Sequence, residues 1–168
     1  GKEPAATENG VREPVGEEAA QSGGTLYLAM GIPSTLNPLL NADETVDDVL
    51  KLIFEPLFYL DGTLRPKSDI LESYVFDSTG TALTLTMKPG LLWQDGEEIT
   101  ADDIIYSLDT IAGSGDGAFY RNVLENVSLY SKNGEYSLTI YFGQVFSGNL
   151  YSLCFPVIPE HYYKGPEH

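Results

Sequence analysis

Five acidic residues stand close together in the middle of the sequence, and acidic side chains are the first candidates for chemistry. They are Asp95, Glu97, Glu98, Asp102 and Asp103. Two carboxyl groups in different environments can act as general acid and general base, so a pair among the first three would suit a hydrolase. These three surround Gly96 in a predicted turn, where water should reach all of them equally. Their spacing also differs from that of a calcium loop, so we predict no catalytic residue, no metal and no cofactor here.

The surrounding residues give the same acids a structural role. The stretch "TADDIIYSLDTI" predicts a helix with Thr100 as its N-cap and Asp103 at the third helical position. This pattern is a capping box in which Asp takes the place of Glu. Asp102 and Asp103 also lie where the helix dipole favours negative charge. Trp93 is predicted to pack beneath a sheet, and Asp95 with Gly96 to form a turn.

Cys154 is the only cysteine of the chain, which excludes an internal disulfide. It lies in the apolar stretch "LYSLCFPVI", and a free cysteine in such a setting usually behaves as a small hydrophobic residue. A nucleophilic thiol needs a nearby base, and the only histidines, His161 and His168, stand at the end of the sequence. We therefore predict a buried free thiol.

Net charge limits the possible partners. The chain has 168 residues and a formal net charge of −16 at pH 7. Such a chain repels nucleic acid and anionic lipid headgroups, and it lacks the basic stripe that a nucleic-acid-binding surface requires. No apolar run in the sequence reaches the length needed to cross a bilayer. We therefore predict no nucleic-acid partner.

The first part of the chain divides into a tail, a strand and a helix. Residues 1–22 are polar without a hydrophobic period and predict a disordered tether. Residues 24–30 alternate and predict a strand. The helix that follows ends before Pro56, because proline does not fit a helix interior. Its predicted buried face consists of Val46, Val49, Leu50 and Ile53.

Hairpins dominate the remainder of the chain. Turns are predicted at residues 61–62, 78–80 and 132–134, each between two strand-like stretches. In the second hairpin one face is apolar and consists of Leu83, Leu85 and Met87. Residues 112–120 form a glycine-rich loop without the Lys-Ser/Thr ending of a phosphate-binding loop. The fold class is therefore α+β, a mostly antiparallel sheet with flanking helices.

The stretch "LLWQDGEEITADDIIYSL" resembles the signature of family 5 extracellular solute-binding proteins, the peptide- and nickel-binding subunits of ABC importers. The residues that match this signature are Trp93, Asp95, Gly96, Thr100, Ala101, Asp103, Tyr106 and Ser107. Further segments resemble the family in the same order. They are "GGTLYLAM" with Leu36-Asn37-Pro38, "IFEPLFYLDGTLRPKSDILESY" and "FPVIPEHYY". Phe54 and Tyr74 depart from the family's usual Tyr and Trp, and both keep an aromatic ring.

The resemblance implies a fragment, because members of this family are much longer and close two lobes around a ligand. It implies a type II periplasmic-binding-protein-like fold. Residues 23–53 would hold the first strand of the main lobe and a cleft segment, and residues 54–168 the small α+β domain. The implied protein is an extracellular or periplasmic lipoprotein, anchored at the cell surface by an N-terminal lipid, that captures oligopeptides for ABC permease subunits by lobe closure.

The resemblance also suggests which residues meet the ligand. In relatives the segment after the Leu-Asn-Pro turn lines the cleft, and an aromatic residue beyond the glycine-rich loop faces the ligand. The corresponding residues here are Asn41, Ala42, Asp43, Glu44, Thr45, Phe119 and Tyr120. Two structural alternatives stay open, a solvated loop capped by Asp43 or Thr45 and a core position for both rings. Gly117 stands where nickel-binding members carry arginine, so a nickel chelate is less favoured than a peptide.

Two other functions remain possible, a free-standing interaction domain and, less favoured, the carboxylate hydrolase. Because part of the main lobe would be missing, we expect the strand at residues 24–30 to be disordered, swapped or added to another molecule's sheet. We also expect the isolated chain to have negligible affinity for peptides.

Overall fold

A computed structural model describes residues 23–25 and 27–165. The predicted tether at residues 1–22 lies outside the described residues. The elements in chain order are α1 (Glu44–Leu50), β1 (Tyr59–Leu60), β2 (Pro66–Lys67), β3 (Leu71–Phe76), β4 (Ala82–Met87), α2 (Ala101–Ala112), β5 (Val127–Gly134), β6 (Ser137–Phe142), a 3₁₀ turn (Tyr151–Leu153) and α3 (Glu160–Tyr163). This content confirms the predicted α+β class.

Four strands form one antiparallel sheet in the order β3-β4-β6-β5. The two long hairpins, β3-β4 and β5-β6, are therefore neighbours, and β4 pairs with β6 between them. Strands β1 and β2 form a separate two-stranded hairpin. All three predicted hairpins are confirmed.

Strand β4 carries the predicted apolar face of this sheet. Leu83 and Leu85 are fully buried and pair with Ile140 and Leu138 of β6. Thr84 points to the opposite face, where its hydroxyl lies 3.2 Å from that of Thr139. Side chains of a strand alternate between faces, so the two-residue period of "LTLTM" decides which side faces the core.

Helix α2 covers this apolar face. Its buried residues include Ile104, Leu108 and Ile111, spaced three and four apart as one helical face requires. The predicted capping box is confirmed, since the Thr100 N–H donates to the Asp103 carboxylate at 2.9 Å and the Thr100 hydroxyl accepts from the backbone at the helix start. A local sequence signal therefore fixes where this helix begins.

Residues 155–158 connect the segment before β1 with helix α2. The Leu57 N–H donates to the Phe155 carbonyl at 2.8 Å, and the Val157 N–H donates to the Glu55 carbonyl at 2.9 Å. The Ile158 N–H then donates to the buried hydroxyl of Ser107 in α2, at 2.9 Å. Residues 155–158, here called the strap, are thus bonded to residues 55–57 on one side and to α2 on the other. Helix α3 follows directly after the strap.

Three predicted details of local structure are wrong. The loop between β1 and β2 occupies residues 61–65, because the Asp61 carboxylate accepts from the Thr63 and Arg65 N–H groups and closes a longer turn. The turn of the third hairpin lies at residues 135–136, since β5 extends through residues 132–134. Helix α1 ends at Leu50, before Pro56 as predicted, but Ile53 lies beyond it and is exposed.

The predicted strand at residues 24–30 is also wrong for the residues that are described. They form no strand, and Tyr27 is 90% exposed. Leu26 lies outside the described residues. An extended segment becomes a strand only when it finds a partner, and every described strand pairs elsewhere. Addition of this segment to another molecule's sheet stays a prediction.

Within the described residues no helix has both the length and the apolar character needed to span a bilayer.

The alternation in β4 yields a matched pair of variants. Leu85→Ala removes a fully buried side chain and should lower the free energy of unfolding by about 2–5 kcal/mol. Thr84→Ala, one residue away on the exposed face, should lower it by less than about 1 kcal/mol, because only the partly exposed contact with Thr139 is lost. Urea denaturation followed by circular dichroism measures both, and equal losses would contradict the assigned faces.

Candidate functional site

The five signature acids do not converge on one point. Asp103 is buried, and one of its carboxylate oxygens accepts from the Glu160 N–H at 2.8 Å while the other accepts from Thr100. Burial raises the pKa of Asp103, against hydrogen bonds that lower it. Asp102 instead forms an exposed ion pair with Lys132, with its Oδ2 2.6 Å from the Lys132 Nζ.

Of the three acids around Gly96, two bond to separate partners and the third is exposed. The Asp95 Oδ2 lies 2.7 Å from the His161 Nε2 of α3, and this contact is the main reason that the pKa of Asp95 is lowered. The Glu98 Oε1 accepts from the Gly90 N–H at 2.7 Å. Glu97 is exposed. Across residues 23–25 and 27–165, no three His, Cys, Asp or Glu side chains are grouped so that they could hold a metal ion.

Trp93 is buried in the core below these acids, as predicted. Its indole N–H makes no hydrogen bond of normal geometry with any described residue. It nevertheless lies near enough to Asp103 to lower the pKa of that carboxyl group. The signature stretch therefore connects the turn at Gly96 and the start of α2 to α3, and its role is structural.

The predicted ligand segment is held in place by its own side chains. The Asn41 amide is buried and bonds Asp43 twice, donating to its carbonyl at 2.8 Å and accepting from its N–H at 3.1 Å. The Asp43 Oδ1 accepts from the Thr45 N–H at 2.8 Å and from the Val46 N–H at 3.3 Å, which makes Asp43 the N-cap of α1. These bonds lower the pKa of Asp43, with the Thr45 hydroxyl as the first cause.

Thr45 is also occupied, since its hydroxyl donates to Asp43 and accepts from the Gly31 N–H at 3.3 Å. Asn41, Asp43 and Thr45 thus shape the segment. Ala42 and Glu44 remain exposed. No described residue forms a hydrogen bond with the N–H or the carbonyl group of Ala42.

The structure brings the two predicted ligand patches together. The Phe119 N–H donates to the Asn41 carbonyl at 3.4 Å, although the two residues are far apart in sequence. Phe119 is 42% exposed as a residue, so the predicted core alternative does not hold for it. Tyr120 is partly buried and packs against the core. The joined patches form one surface, here called the α1 surface, made of Asn41, Ala42, Asp43, Glu44, Thr45, Phe119 and Tyr120.

A small cleft opens beside this surface. It has a volume of about 260 Å³ and includes Tyr120 in its wall. Leu50 and Phe54 form one side of it. Cys154 also lines the cleft. It is a free thiol as predicted, but it is only partly buried, whereas a buried thiol was predicted. Sequence patterns gave no sign of this cleft, because its walls come from residues 38–59, 120 and 154–156.

A larger apolar groove of about 720 Å³ lies on the other side of Leu50 and Phe54. None of the predicted ligand residues lines it. Its side-chain polar groups are largely engaged with the protein, as in the Asp95–His161 contact and the Gln94 amide, which donates to the Ile53 carbonyl at 3.1 Å. Solute sites usually combine apolar walls with convergent free polar groups, so this groove is better suited to apolar packing.

Comparisons with known proteins agree with the predicted family. Residues 65–167 match the family described as "Bacterial extracellular solute-binding proteins, family 5 Middle". The chain is 25% identical over 145 residues to the oligopeptide-binding protein AppA of Bacillus subtilis (strain 168), which covers 84% of this chain and 26% of AppA. It is 25% identical over 123 residues to the glutathione-binding protein GsiB of Escherichia coli (strain K12), which covers 73% of this chain and 24% of GsiB.

Solved structures show the same relation. AppA from Bacillus subtilis in complex with a nonapeptide superposes with a TM-score of 0.67 at 26% identity, over 82% of this chain and 28% of that one. NikZ from Campylobacter jejuni in complex with Ni(L-His) superposes with a TM-score of 0.69 at 20% identity, over 82% and 28%, and supports the fold alone. These neighbours confirm the predicted periplasmic-binding-protein-like fold. The chain spans about a quarter of the length of the curated relatives it matches.

The two neighbouring acids at the start of α2 test the structural role of the signature. Asp103→Ala leaves the Thr100 and Glu160 N–H groups without their acceptor and should lower the free energy of unfolding by about 2–4 kcal/mol. Asp102→Ala removes an exposed ion pair and one exposed negative charge at the helix start, and should cost about 1 kcal/mol or less. Thermal and urea denaturation measure the losses. A larger loss for Asp102→Ala would refute the assigned roles.

Proposed function

Because the chain belongs to the bacterial extracellular solute-binding proteins of family 5, we propose that it is part of a receptor that captures oligopeptides for an ABC importer. The relatives named above are binding proteins, and one of them was solved with a nonapeptide. The receptor would act outside the cytoplasmic membrane, held there by an N-terminal lipid anchor, and deliver its ligand to ABC permease subunits.

One observation carries this proposal, the bond from the Phe119 N–H to the Asn41 carbonyl. It places an exposed ring next to the unpaired backbone groups of Ala42. An extended peptide can bond to such backbone groups whatever its sequence, while pockets for its side chains add preference. This combination suits a receptor for peptides of varied sequence.

The residues of the α1 surface divide into proposed ligand contacts and proposed positioning residues. The Ala42 N–H and carbonyl would pair with the peptide backbone, and the Phe119 ring would cover an apolar part of the ligand. The exposed Glu44 carboxylate would attract a cationic group of the peptide. Asn41, Asp43 and Thr45 are proposed as positioning residues, because their side chains bond one another.

A complete site requires more than this chain. We propose that residues 23–53 belong to the main lobe and residues 54–168 to the small domain, and that a hinge motion closes a second lobe over the α1 surface. A nickel chelate is the less favoured ligand, since Gly117 offers no side chain to hold a carboxylate. The chain is not proposed as an enzyme, because Asp95, Glu98 and Asp103 bond to different partners.

The free-standing interaction domain remains a second candidate because of one feature, the apolar groove. Leu36, Ile53 and Tyr162 line it and are exposed. An apolar surface of this kind usually belongs to an interface. If the chain in solution bound no peptide, even at millimolar concentration, this second candidate would be favoured.

Nuclear magnetic resonance can locate the peptide contact on the chain. Millimolar tetraglycine should shift the amide signals of Ala42, Glu44 and Phe119, because the proposed contact is made by backbone groups. Phe119→Ala should reduce these shifts. Phe146→Ala is the matched control, since Phe146 is an exposed ring that lines neither the cleft nor the groove. Shifts confined to the Trp93 indole and other groove residues would overturn the proposed site.

Calorimetry tests whether the site is incomplete. The 168-residue chain should bind tri- to pentapeptides no more tightly than about 1 mM, because one face of the ligand stays in water. A nickel–histidine complex should give no heat. Micromolar peptide binding by the isolated chain would show that the α1 surface is sufficient and would disprove the two-lobed site.

A further inference from the structure

We propose that the cleft beside the α1 surface receives one uncharged aromatic or large aliphatic side chain of a bound peptide. This inference rests on the proposed function and adds a preference to it, since the backbone contacts at Ala42 carry no sequence information. The cleft borders the α1 surface through Tyr120, which belongs to both. A peptide chain lying along Ala42 and Phe119 would therefore pass its mouth.

The walls of the cleft are made of rings and imino acids. The apolar lining residues are Pro38, Leu50, Phe54, Pro56, Phe58, Tyr59, Tyr120 and Pro156. Phe58 is fully buried and is held by the Tyr74 ring in an edge-to-face contact, with centroids 5.1 Å apart. The Pro56–Pro156 bridge of the strap fixes the opposite wall. Such rigid walls hold the cleft open without reorganisation when a side chain enters.

The size of the cleft fits a side chain better than a whole ligand. Sites for complete small molecules usually have volumes of about 300–1,000 Å³. The cleft has about 260 Å³, below that range. A ring or a branched aliphatic group would fill much of it, whereas the peptide backbone would remain outside on the α1 surface.

The charged groups at the cleft neutralise one another. The Lys51 Nζ lies 2.6 Å from the Asp47 Oδ2, and this contact is the main cause that raises the pKa of Lys51. A charged ligand group would find no unpaired counter-charge here and would lose its hydration on entry. An aromatic or aliphatic group would lose no such hydration on entry.

Tyr120 gives the cleft one polar group that is still available. Its pKa is raised, first by burial and then by the Asp47 carboxylate. Its hydroxyl has no hydrogen-bond partner among the described residues. The ring is proposed as a wall for the incoming side chain. The hydroxyl can bond a tyrosine or tryptophan of the ligand but is not required for an aliphatic one.

Cys154 provides a chemical probe of this cleft, because it is the only thiol of the chain and lies in the cleft wall. Burial raises the pKa of this thiol, which slows its reactions without preventing them. Under a fixed excess of 2-mercaptoethanol, disulfide exchange reaches equilibrium, and the fraction of labelled protein then reports how well the attached group fits its surroundings. Weak contacts become measurable because the bond keeps the group at the cleft.

The experiment uses the 168-residue chain and a series of mixed disulfides of cysteamine. They differ only in the attached group, which is phenethyl, isobutyl, methyl, carboxyethyl or aminoethyl. Exchange joins the Cys154 sulfur to the sulfur that carries this group and releases cysteamine as a thiol. Intact-mass spectrometry should show the phenethyl and isobutyl conjugates favoured by about tenfold over the charged ones, as expected for partial burial of such a group.

Controls separate the cleft from the reagent. In urea the unfolded chain should show no preference among the five groups. The double variant Cys154→Ser/Glu72→Cys, with its thiol on an exposed strand residue, should show none either. Tyr120→Ala removes a wall and should reduce the preference, whereas Tyr120→Phe keeps the ring and should retain it. Circular dichroism verifies that each variant is folded.

Three results would overturn the proposal. They are equal labelling by all five groups, a preference for a charged group, and labelling that occurs only in urea. The last result would mean that the cleft does not admit a side chain. The tetraglycine shifts are independent of this test, since glycine has no side chain to insert. Shifts at Ala42 without an aromatic preference at Cys154 would support the peptide site and disprove the role of the cleft. An aromatic preference at Cys154 without shifts at Ala42 would disprove the proposed peptide site.

Discussion

The carboxylate of Asp103 accepts hydrogen bonds from the Thr100 and Glu160 N–H groups, and much of the domain is arranged around this buried junction. The first bond starts α2, which covers the sheet. The second holds the entrance of α3 and, with Ser107, the strap at residues 155–158. The strap in turn pairs with residues 55–57 and closes one wall of the cleft. A buried charge is tolerated here because backbone donors satisfy it.

The two concave surfaces of this molecule are mainly apolar, although the chain as a whole is strongly acidic. The chain has a formal net charge of −16, yet both concavities beside Leu50 and Phe54 are mainly apolar. In the cleft the charges of Lys51 and Asp47 neutralise each other in an ion pair. At the groove the Asp95 carboxylate is in contact with the His161 ring. Acidic residues keep the remaining surface hydrated, whereas these two concavities present mainly apolar walls.

Most elements could be predicted from the sequence, because their signals are local. The alternation in β4 and the capping residues of α2 each act within a few positions of the chain. The errors occur where a side chain or a partner overrides the pattern. Asp61 closes a longer turn than its Asp-Gly pair suggests. Residues 24, 25 and 27–30 belong to an alternating stretch, but they pair with no strand in the part of the chain that the structure describes. Pairing depends on a second segment, which alternation cannot supply.

By itself the sequence determined the α+β class, the family resemblance, the structural use of the signature acids and the two patches expected to meet a ligand. Only the tertiary structure decided that these patches touch, through Phe119 and Asn41, and that the Asn41 and Asp43 side chains are engaged with their own segment. It also decided that a cleft with Cys154 in its wall lies beside them. The reason is that helix caps and alternation follow from neighbours in sequence. Cavities and free backbone groups arise only when distant segments are folded together.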